Sequence, residues 1–412
     1  MRILAIEDAF PPELTSARLP FEFADELANR GHEITVVTVF PRRYLIPEKT
    51  KKIEVPKSRF FYWESMGRFL VLRVRPGLKV KSLVTRFLEY SVLPITLFIG
   101  GLIVGRNKDL VHCQTPPLTV AFTACLLSKI LRKPIIIRIQ DIHPDALIKI
   151  GLLKNRLLIK LMEFMELFVY VCASHITVIS DGYKRHVLAR GISSKKVSLI
   201  PNWANIDDTK PPNENDFRER MRLGGKFLVT YAGTISWPQD LETVVEAANI
   251  LRAHRDIMFL IVGDGVKKEM LVRRSRDLAL NNIIFMPLQP RDEYFKILYA
   301  SDVCLVPLRK QFTSPTLPSK MLEIMACGKP IIANVPFDSD VRKFVENARC
   351  GIWVEPENPK DFSKAVLVLR DNRDLAVKLG ENGLLYLRNN LTLKACMDRY
   401  EELLNSLVEI RK

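Results

Sequence analysis

Two apolar patterns alternate along the chain. Short runs dominated by β-branched and aliphatic residues, such as Arg2–Glu7, Ile34–Val39, Leu110–His112, Ile135–Ile139 and Ile176–Ile179, predict buried strands, and Val197–Ile200 predicts another. Between them lie segments with apolar residues at helical spacing: Phe21–Arg30 ending at Gly31, a stretch from Leu118, Asn155–Cys172, and Asp181–Arg190 closed by Gly191. The alternation pauses at Asn202–Asn215, a polar segment rich in Pro and Asp that predicts a linker. It then restarts with a strand at Lys226–Ala232, a helix at Leu241–His254, a strand at Ile257–Val262 and a helix at Lys267–Leu280. Ile283–Met286, Asp292–Ala300 and Val303–Val306 continue the rhythm, and Leu375–Leu387 and Leu393–Ile410 predict closing helices.

One stretch gathers these signals. Pro318–Ala333 reads as a loop, a short helix stopped at Gly328, and the buried strand Ile331-Ile332-Ala333. Strand–helix alternation of this kind predicts an α/β protein with two Rossmann-like doubly wound domains facing a central cleft. The expected boundaries are 1–203, 204–390 and a last helix over 391–412. At 412 residues the chain is too long for a single core.

Charge changes this picture in the first half only. The net formal charge is +16, and 31 of the 62 Lys and Arg but 17 of the 46 Asp and Glu precede residue 204. Residues 42–86 hold 13 basic and 3 acidic side chains interleaved with Phe60, Phe61, Tyr62, Trp63 and Phe69, a mixture suited to an anionic membrane surface. Nucleic acid would meet the same charge, but none of the loops fits it. Tyr90–Gly105 is uncharged; as a helix it would span ~24 Å, short of the ~30 Å hydrocarbon core. It reads as an element seated in one membrane leaflet, a buried core helix or, least readily, a span. Peripheral attachment to the cytoplasmic face of the membrane is expected. The N-terminal stretch MRILAIEDAF has no signal-peptide pattern. None of the seven Cys pairs at CxxC spacing, which fits a reducing compartment. No two of the six His stand at metal-ligand spacing, and Asp338-Ser339-Asp340 precedes a helical pattern, so Asp338 or Ser339 is expected to cap a helix. No metal and no cofactor is expected.

The candidate chemistry lies in loops that follow strands. A helix beginning at Ser319 offers unpaired N–H groups to a phosphate, with Lys320 adding a full charge. Glu323, one turn in, can accept from paired ribose hydroxyls; the alternative is a surface helix with a wet Glu. Gly233 and Thr234 follow the first strand of the second half, where a Gly admits close approach of backbone to phosphate; Gly263-Asp264-Gly265 reads as structural packing at a strand–helix turn that borders the same place. Leu288 ends a strand whose backbone can read a flat base. Arg309 and Lys310 precede a Pro-rich loop, and positive charge there would stabilise a departing diphosphate. Leu317 and Pro318 complete the donor-side set. In the first half Asp141 ends a strand and can act as a base or orienting acceptor, with Arg138 to orient it; Thr15, Arg18 and His143 are acceptor-side candidates. His112 reads as core. Asp141, Lys320 and Glu323 form the candidate catalytic set.

These residues carry a resemblance. LEIMACGKPIIA is similar to the donor-binding signature of retaining, nucleotide-sugar-dependent glycosyltransferases of GT-B fold. FPPELTSARLPFEFADELANRGHEITVVT, QDIHPDALIKIGLLKN, IPNWANID and YAGTISWPQDLETVVEAA extend the likeness over nearly the whole length, toward the O-antigen and colanic-acid (WbuB-like) branch. The resemblance implies transfer of a sugar, such as an N-acetylhexosamine or deoxysugar, from a UDP-sugar to a polyprenyl-phosphate-linked or glycan acceptor, with retention, without metal and without an evident protein nucleophile. It implies that Glu323 holds the donor ribose and that the last helix, 391–412, packs back toward the first domain. Two positions depart from the pattern: Pro315 stands where many members carry a first Glu, and Ser236, Trp237 and Gln239 stand where many carry an Arg/Lys pair. A GT-B-fold epimerase and a non-catalytic scaffold are the alternatives.

Overall fold

The computed structural model describes residues 1–13, 17–41, 60–75, 83–149, 151, 153–204, 211, 214–311 and 317–409. The chain divides into two compact units, Met1–Pro201 with Met397–Lys412, and Asn202–Cys396.

Among the described residues the first unit has eight strands: β1 (Arg2–Ile6), β2 (Glu33–Val39), β3 (Phe61–Met66), β4 (Phe69–Val74), β5 (Leu110–Thr115), β6 (Ile135–Ile139), β7 (His175–Val178) and β8 (Val197–Leu199). Their order is β3-β4-β2-β1-β5-β6-β7-β8. All neighbours are parallel except the β3–β4 hairpin, which adds an antiparallel edge inside the region read from sequence as a basic insertion. The apolar runs become strands because both of their faces are covered, as parallel sheets require. The helices are α1 (Arg18–Asn29), α2 (Leu83–Gly105), α3 (Leu118–Leu131), α4 (Asp145–Lys149), α5 (Arg156–Cys172) and α6 (Asp181–Ala189). The Asn155 side chain caps α5 by accepting from the Leu157 and Leu158 amides, and Ser180 caps α6 by accepting from Tyr183 N. Leu93 and Leu97 of α2, Val120 and Ala124 of α3, and Val169 of α5 share one core cluster with Leu4, Val37 and Ile137 of the sheet, so these three helices cover the same sheet face.

Residues 90–105 therefore form part of a core helix. A Cβ on Gly100 would lie 2.8 Å from a Val37 methyl, and one on Gly101 would lie 2.3 Å from a Leu127 methyl. The glycines that weaken this segment as a membrane span instead let it lie flush on the sheet and on α3. No helix among the described residues is long and apolar enough to cross a membrane.

Among the described residues the second unit has six parallel strands, β9 (Phe227–Ala232), β10 (Ile257–Val262), β11 (Ile283–Met286), β12 (Val303–Leu305), β13 (Ile331–Asn334) and β14 (Gly351–Val354), in the order β11-β10-β9-β12-β13-β14. Its helices are α7 (Phe217–Arg220), α8 (Leu241–Ile250), α9 (Lys268–Asp277), α10 (Arg291–Ala300), α11 (Ser319–Ala326), α12 (Asp340–Ala348), α13 (Pro359–Asp371) and α14 (Arg373–Asn390). Ser339 caps α12 by accepting from Val341 N at 3.1 Å. β14 and α13 have no counterpart in the sequence reading: GIWV is short and half-buried, and α13 has alternating polar residues on its outer side. The last helix, α15 (Leu393–Glu409), buries Met397, Tyr400 and Leu404. Tyr400 meets Phe23 of α1 edge-on, with ring centroids 4.9 Å apart, and its hydroxyl lies 2.9 Å from that of Thr177.

Candidate functional site

The strand order of the second unit locates its site. From β9 the chain steps outward through β10 and β11, then returns to the other side of β9 as β12 and continues outward through β13 and β14. The switch lies between β9 and β12, and beyond the carboxyl ends of such a strand pair a parallel sheet leaves a crevice. Two loops end there: the turn after β9, carrying Gly233 and Thr234, and the segment after β12 that leads to α11.

The turn after β9 is held by contacts that only glycine permits. Gly263 has φ +151°, and a Cβ there would lie 1.9 Å from the Gly233 carbonyl oxygen; one on Gly265 would lie 2.2 Å from that of Ile235. Gly233 N donates to Val262 O at 2.9 Å, and Tyr231 donates through its hydroxyl to Thr234 O at 2.5 Å. This packing fixes the backbone opposite α11.

Helix α11 starts at Ser319 with no side-chain cap, leaving its first N–H groups to other acceptors. Lys320 lies with Nζ 4.2 Å from the Tyr231 ring centroid, and a Cβ on Gly233 would be 3.7 Å from that Nζ. Burial lowers the Lys320 ammonium to about 7. One turn on, Glu323 accepts from the Tyr294 hydroxyl at 2.8 Å and pairs with Arg291 at 3.4 Å. Desolvation, and then the Glu323 charge, push the Tyr294 phenol well up. The carboxylate is held from α10 and remains partly exposed. Leu288 precedes α10 and is exposed; Leu317 and Pro318 are half-buried at the entry to α11 and Ser319 is exposed.

Arg309 donates through its backbone N–H to Pro238 O at 2.9 Å, which sets it beside the loop after β9. Its guanidinium pairs with Glu242, which also pairs with the buried Lys267. Lys267 Nζ stands 4.5 Å from the Trp237 ring. Thus the stretch Ser236–Gln239, which has no basic side chain of its own, has Lys267 brought to it through space. Lys310 pairs with Glu355 at 3.1 Å. Pro315 lies outside the described residues.

The first unit has its own switch between β1 and β5. Glu7 lies just beyond β1, and His112 and Arg138 occupy the neighbouring β5 and β6; all three are buried. Burial drives the Glu7 carboxyl well up, with the Asp8 charge adding and Arg138 opposing. Burial, then Arg138, lowers His112 to about 3, and its ring stacks on Phe23 with centroids 4.3 Å apart. His112 is thus a core residue. Asp141 accepts from Ile142 N at 2.9 Å and from the Tyr183 hydroxyl at 3.2 Å. His143 lies 3.9 Å from Asp141 and is lowered by burial, with Asp141 opposing. Asp141 and His143 are therefore together. Arg138 sits inside the sheet, where its charge acts on Glu7 and His112. Arg18 opens α1 and pairs with Glu22 at 2.7 Å. Thr15 lies outside the described residues.

The comparisons follow this division. Residues 20–203 match the family "Glycosyl transferase 4-like domain", and residues 213–385 match "Glycosyl transferases group 1". The second unit thus carries a group 1 glycosyl transferase domain and the first a glycosyl transferase 4-like domain. It is similar to the putative colanic acid biosynthesis glycosyl transferase WcaI of Escherichia coli K12, with 27% identity over 87% of this chain and 89% of that protein. Among solved structures it superposes on Anabaena Alr3699/HepE, solved in complex with UDP, with TM-score 0.73, 14% identity, and 98% and 100% of the two chains covered. Sucrose-phosphate synthase from Thermosynechococcus elongatus gives TM-score 0.75 at 15% identity over 100% of both chains. At these identities the superpositions establish the fold, the GT-B architecture of two parallel-sheet domains.

Sequence reasoning missed Tyr294, Arg291, Lys267 and Tyr183. Tyr294 is 29 residues from its partner Glu323, and Tyr183 is 42 from Asp141. No local spacing marks such pairs.

Proposed function

We propose that the protein transfers a sugar, with retention and without a metal, from a UDP-sugar to a polyprenyl-phosphate-linked or glycan acceptor during cell-surface polysaccharide assembly. The observation that carries this is the juxtaposition of an uncapped helix start, Lys320 and the glycine turn after β9, with Glu323 held one turn away. Diphosphate oxygens would meet the α11 amides and the Lys320 ammonium. The ribose hydroxyls would donate to Glu323, which Tyr294 and Arg291 keep aimed outward. As the sugar leaves, charge grows on the diphosphate, and a fixed dipole and cation stabilise it without reorganising. The likeness to a solved UDP complex supports the choice of UDP, and the likeness to WcaI supports polysaccharide assembly. Asp141, gripped by Tyr183, is the proposed acceptor-side base or orienting group, with Arg18, His143 and Thr15 as further acceptor-side candidates.

A thermal-shift panel of UDP, GDP, ADP and CMP on wild type and Glu323→Ala tests the donor half. UDP at a hundred times its Kd should stabilise the wild type by about 2.7 kcal/mol, and the substitution should remove most of this. Stabilisation by GDP or ADP alone would overturn the choice of UDP, and no response to any nucleotide would overturn the reading itself.

A further inference from the structure

The outward side of α5 has the polarity that its inward side should have. Leu157, Leu161, Phe164, Leu167 and Val171 recur at steps of four, three, three and four, and all are exposed, Phe164 by 62%. That is one continuous helical stripe. The inward side instead holds an acid: Glu166, 1% exposed, accepts from Tyr170 at 3.0 Å and pairs with His186 at 2.8 Å and Arg190 at 2.9 Å. A surface helix normally shows the reverse arrangement, so the solvent-facing stripe is not a by-product of packing.

The neighbouring elements continue this surface. On α2, Ile95, Ile99 and Ile103 face outward at steps of four, exposed by 58%, 44% and 54%; on α3 the same is true of Leu126 and Ile130. Helices α2, α3 and α5 lie on one sheet face, and Phe122 of α3 packs on Phe168 of α5 with ring centroids 4.7 Å apart. At the sheet edge, Phe61 and Trp63 stand opposite Val74 and Leu72, which belong to that same core, so both exposed aromatics point to the same face. Single exposed apolar residues need no explanation, but a contiguous field of them does.

The charges around the field choose its occupant. Residues 92–105, 118–131 and 156–172 contain two acids, Glu166 buried and Glu163 half-buried. The helix ends carry Arg106, Lys129, Arg132, Lys154, Arg156 and Lys160, of which Lys129 stands 4.9 Å from the Phe168 ring. An apolar centre with a cationic rim complements acyl chains beneath anionic headgroups. A second copy of the chain meeting this face about a twofold axis would set rim cations against one another with almost no acids to pair them.

We infer that the outward face of α2, α3 and α5, with the Phe61–Trp63 edge, is a docking surface for an anionic lipid bilayer. The surface belongs to the first unit alone and does not depend on the transfer reading, though it would bring the acceptor side of that unit to a lipid-borne substrate. Sedimentation with phosphatidylcholine vesicles, with and without phosphatidylglycerol, tests it on the full chain. Wild type should pellet with the mixed vesicles, bind the neutral ones less, and be released in part by salt. Leu161→Glu with Phe164→Glu removes two apolar side chains and adds two repelled charges, so binding should fall by at least about tenfold. Both positions are exposed, and an unchanged melting temperature and unchanged UDP response would show that the fold and the donor site survive. Failure of wild type to bind mixed vesicles, or equal binding by the double variant, overturns the inference. Light scattering that finds a wild-type dimer split by the same substitutions, without vesicle binding, would assign the surface to self-association instead. The UDP response fails or holds independently of all these outcomes.

Discussion

Lys320 is where one side chain's environment has the clearest consequence. Its folded value, about 7, lies below the ordinary 10.5. Its contribution to stability is therefore present above the ordinary lysine value and lost as pH falls toward 7. Nucleotide-free wild type should gain stability over Lys320→Met as pH rises through that window, measured by urea denaturation. A diphosphate beside the amine favours its charged form, so UDP binding near pH 8 should take up a proton, seen by calorimetry in buffers of different ionisation enthalpy and absent from Lys320→Met. Glu7 has the opposite sign. Its folded value is raised above the ordinary one, so its contribution is fully present below about 4.5 and lost as pH rises. Glu7→Gln should therefore be more stable than wild type at pH 8, with the gap closing toward pH 4. At this scale Lys320, Glu323 and Gly233 were legible because each belongs to a local loop–helix or strand–turn pattern. Arg309 was legible as a cation but not as the partner of Glu242, since that pairing joins positions 67 residues apart.

Among the elements, the β9 turn is the most constrained. Gly263→Ala would drive a Cβ into the Gly233 carbonyl, and backbone cannot yield as a side chain does. A loss of about 1–3 kcal/mol is expected by urea denaturation, with weakened UDP binding because the displaced strand end borders Lys320. Gly265→Ala should behave similarly. The sequence marked these glycines as structural packing at a strand–helix turn, and the distances give the reason. Helix α5 teaches a different lesson. Its span was readable from its period, but apolar residues on both sides left its orientation open; only the burial of Glu166 with Arg190 and His186 tells which side faces in.

For the whole molecule, α15 is a test of how the units divide. Tyr400, at 0% exposure, packs against Phe23 and Thr177 although it lies at the far end of the chain. Tyr400→Ala should cost about 3–5 kcal/mol in the first unit, while the second unit, holding the proposed donor residues, should still bind UDP in titration calorimetry at temperatures below the first transition. The sequence by itself determined the α/β class, the two restarting halves and most strand positions, because period and punctuation are local properties of the chain. It also determined the Ser319–Glu323 cluster, since one helical turn brings those residues together. Only the tertiary structure decided the strand orders and hence the two switch points, because a strand's neighbours depend on crossovers that its own residues do not encode. For the same reason it decided which side of α2 and α5 meets the sheet, and how Tyr294 and Tyr183 reach their carboxylates.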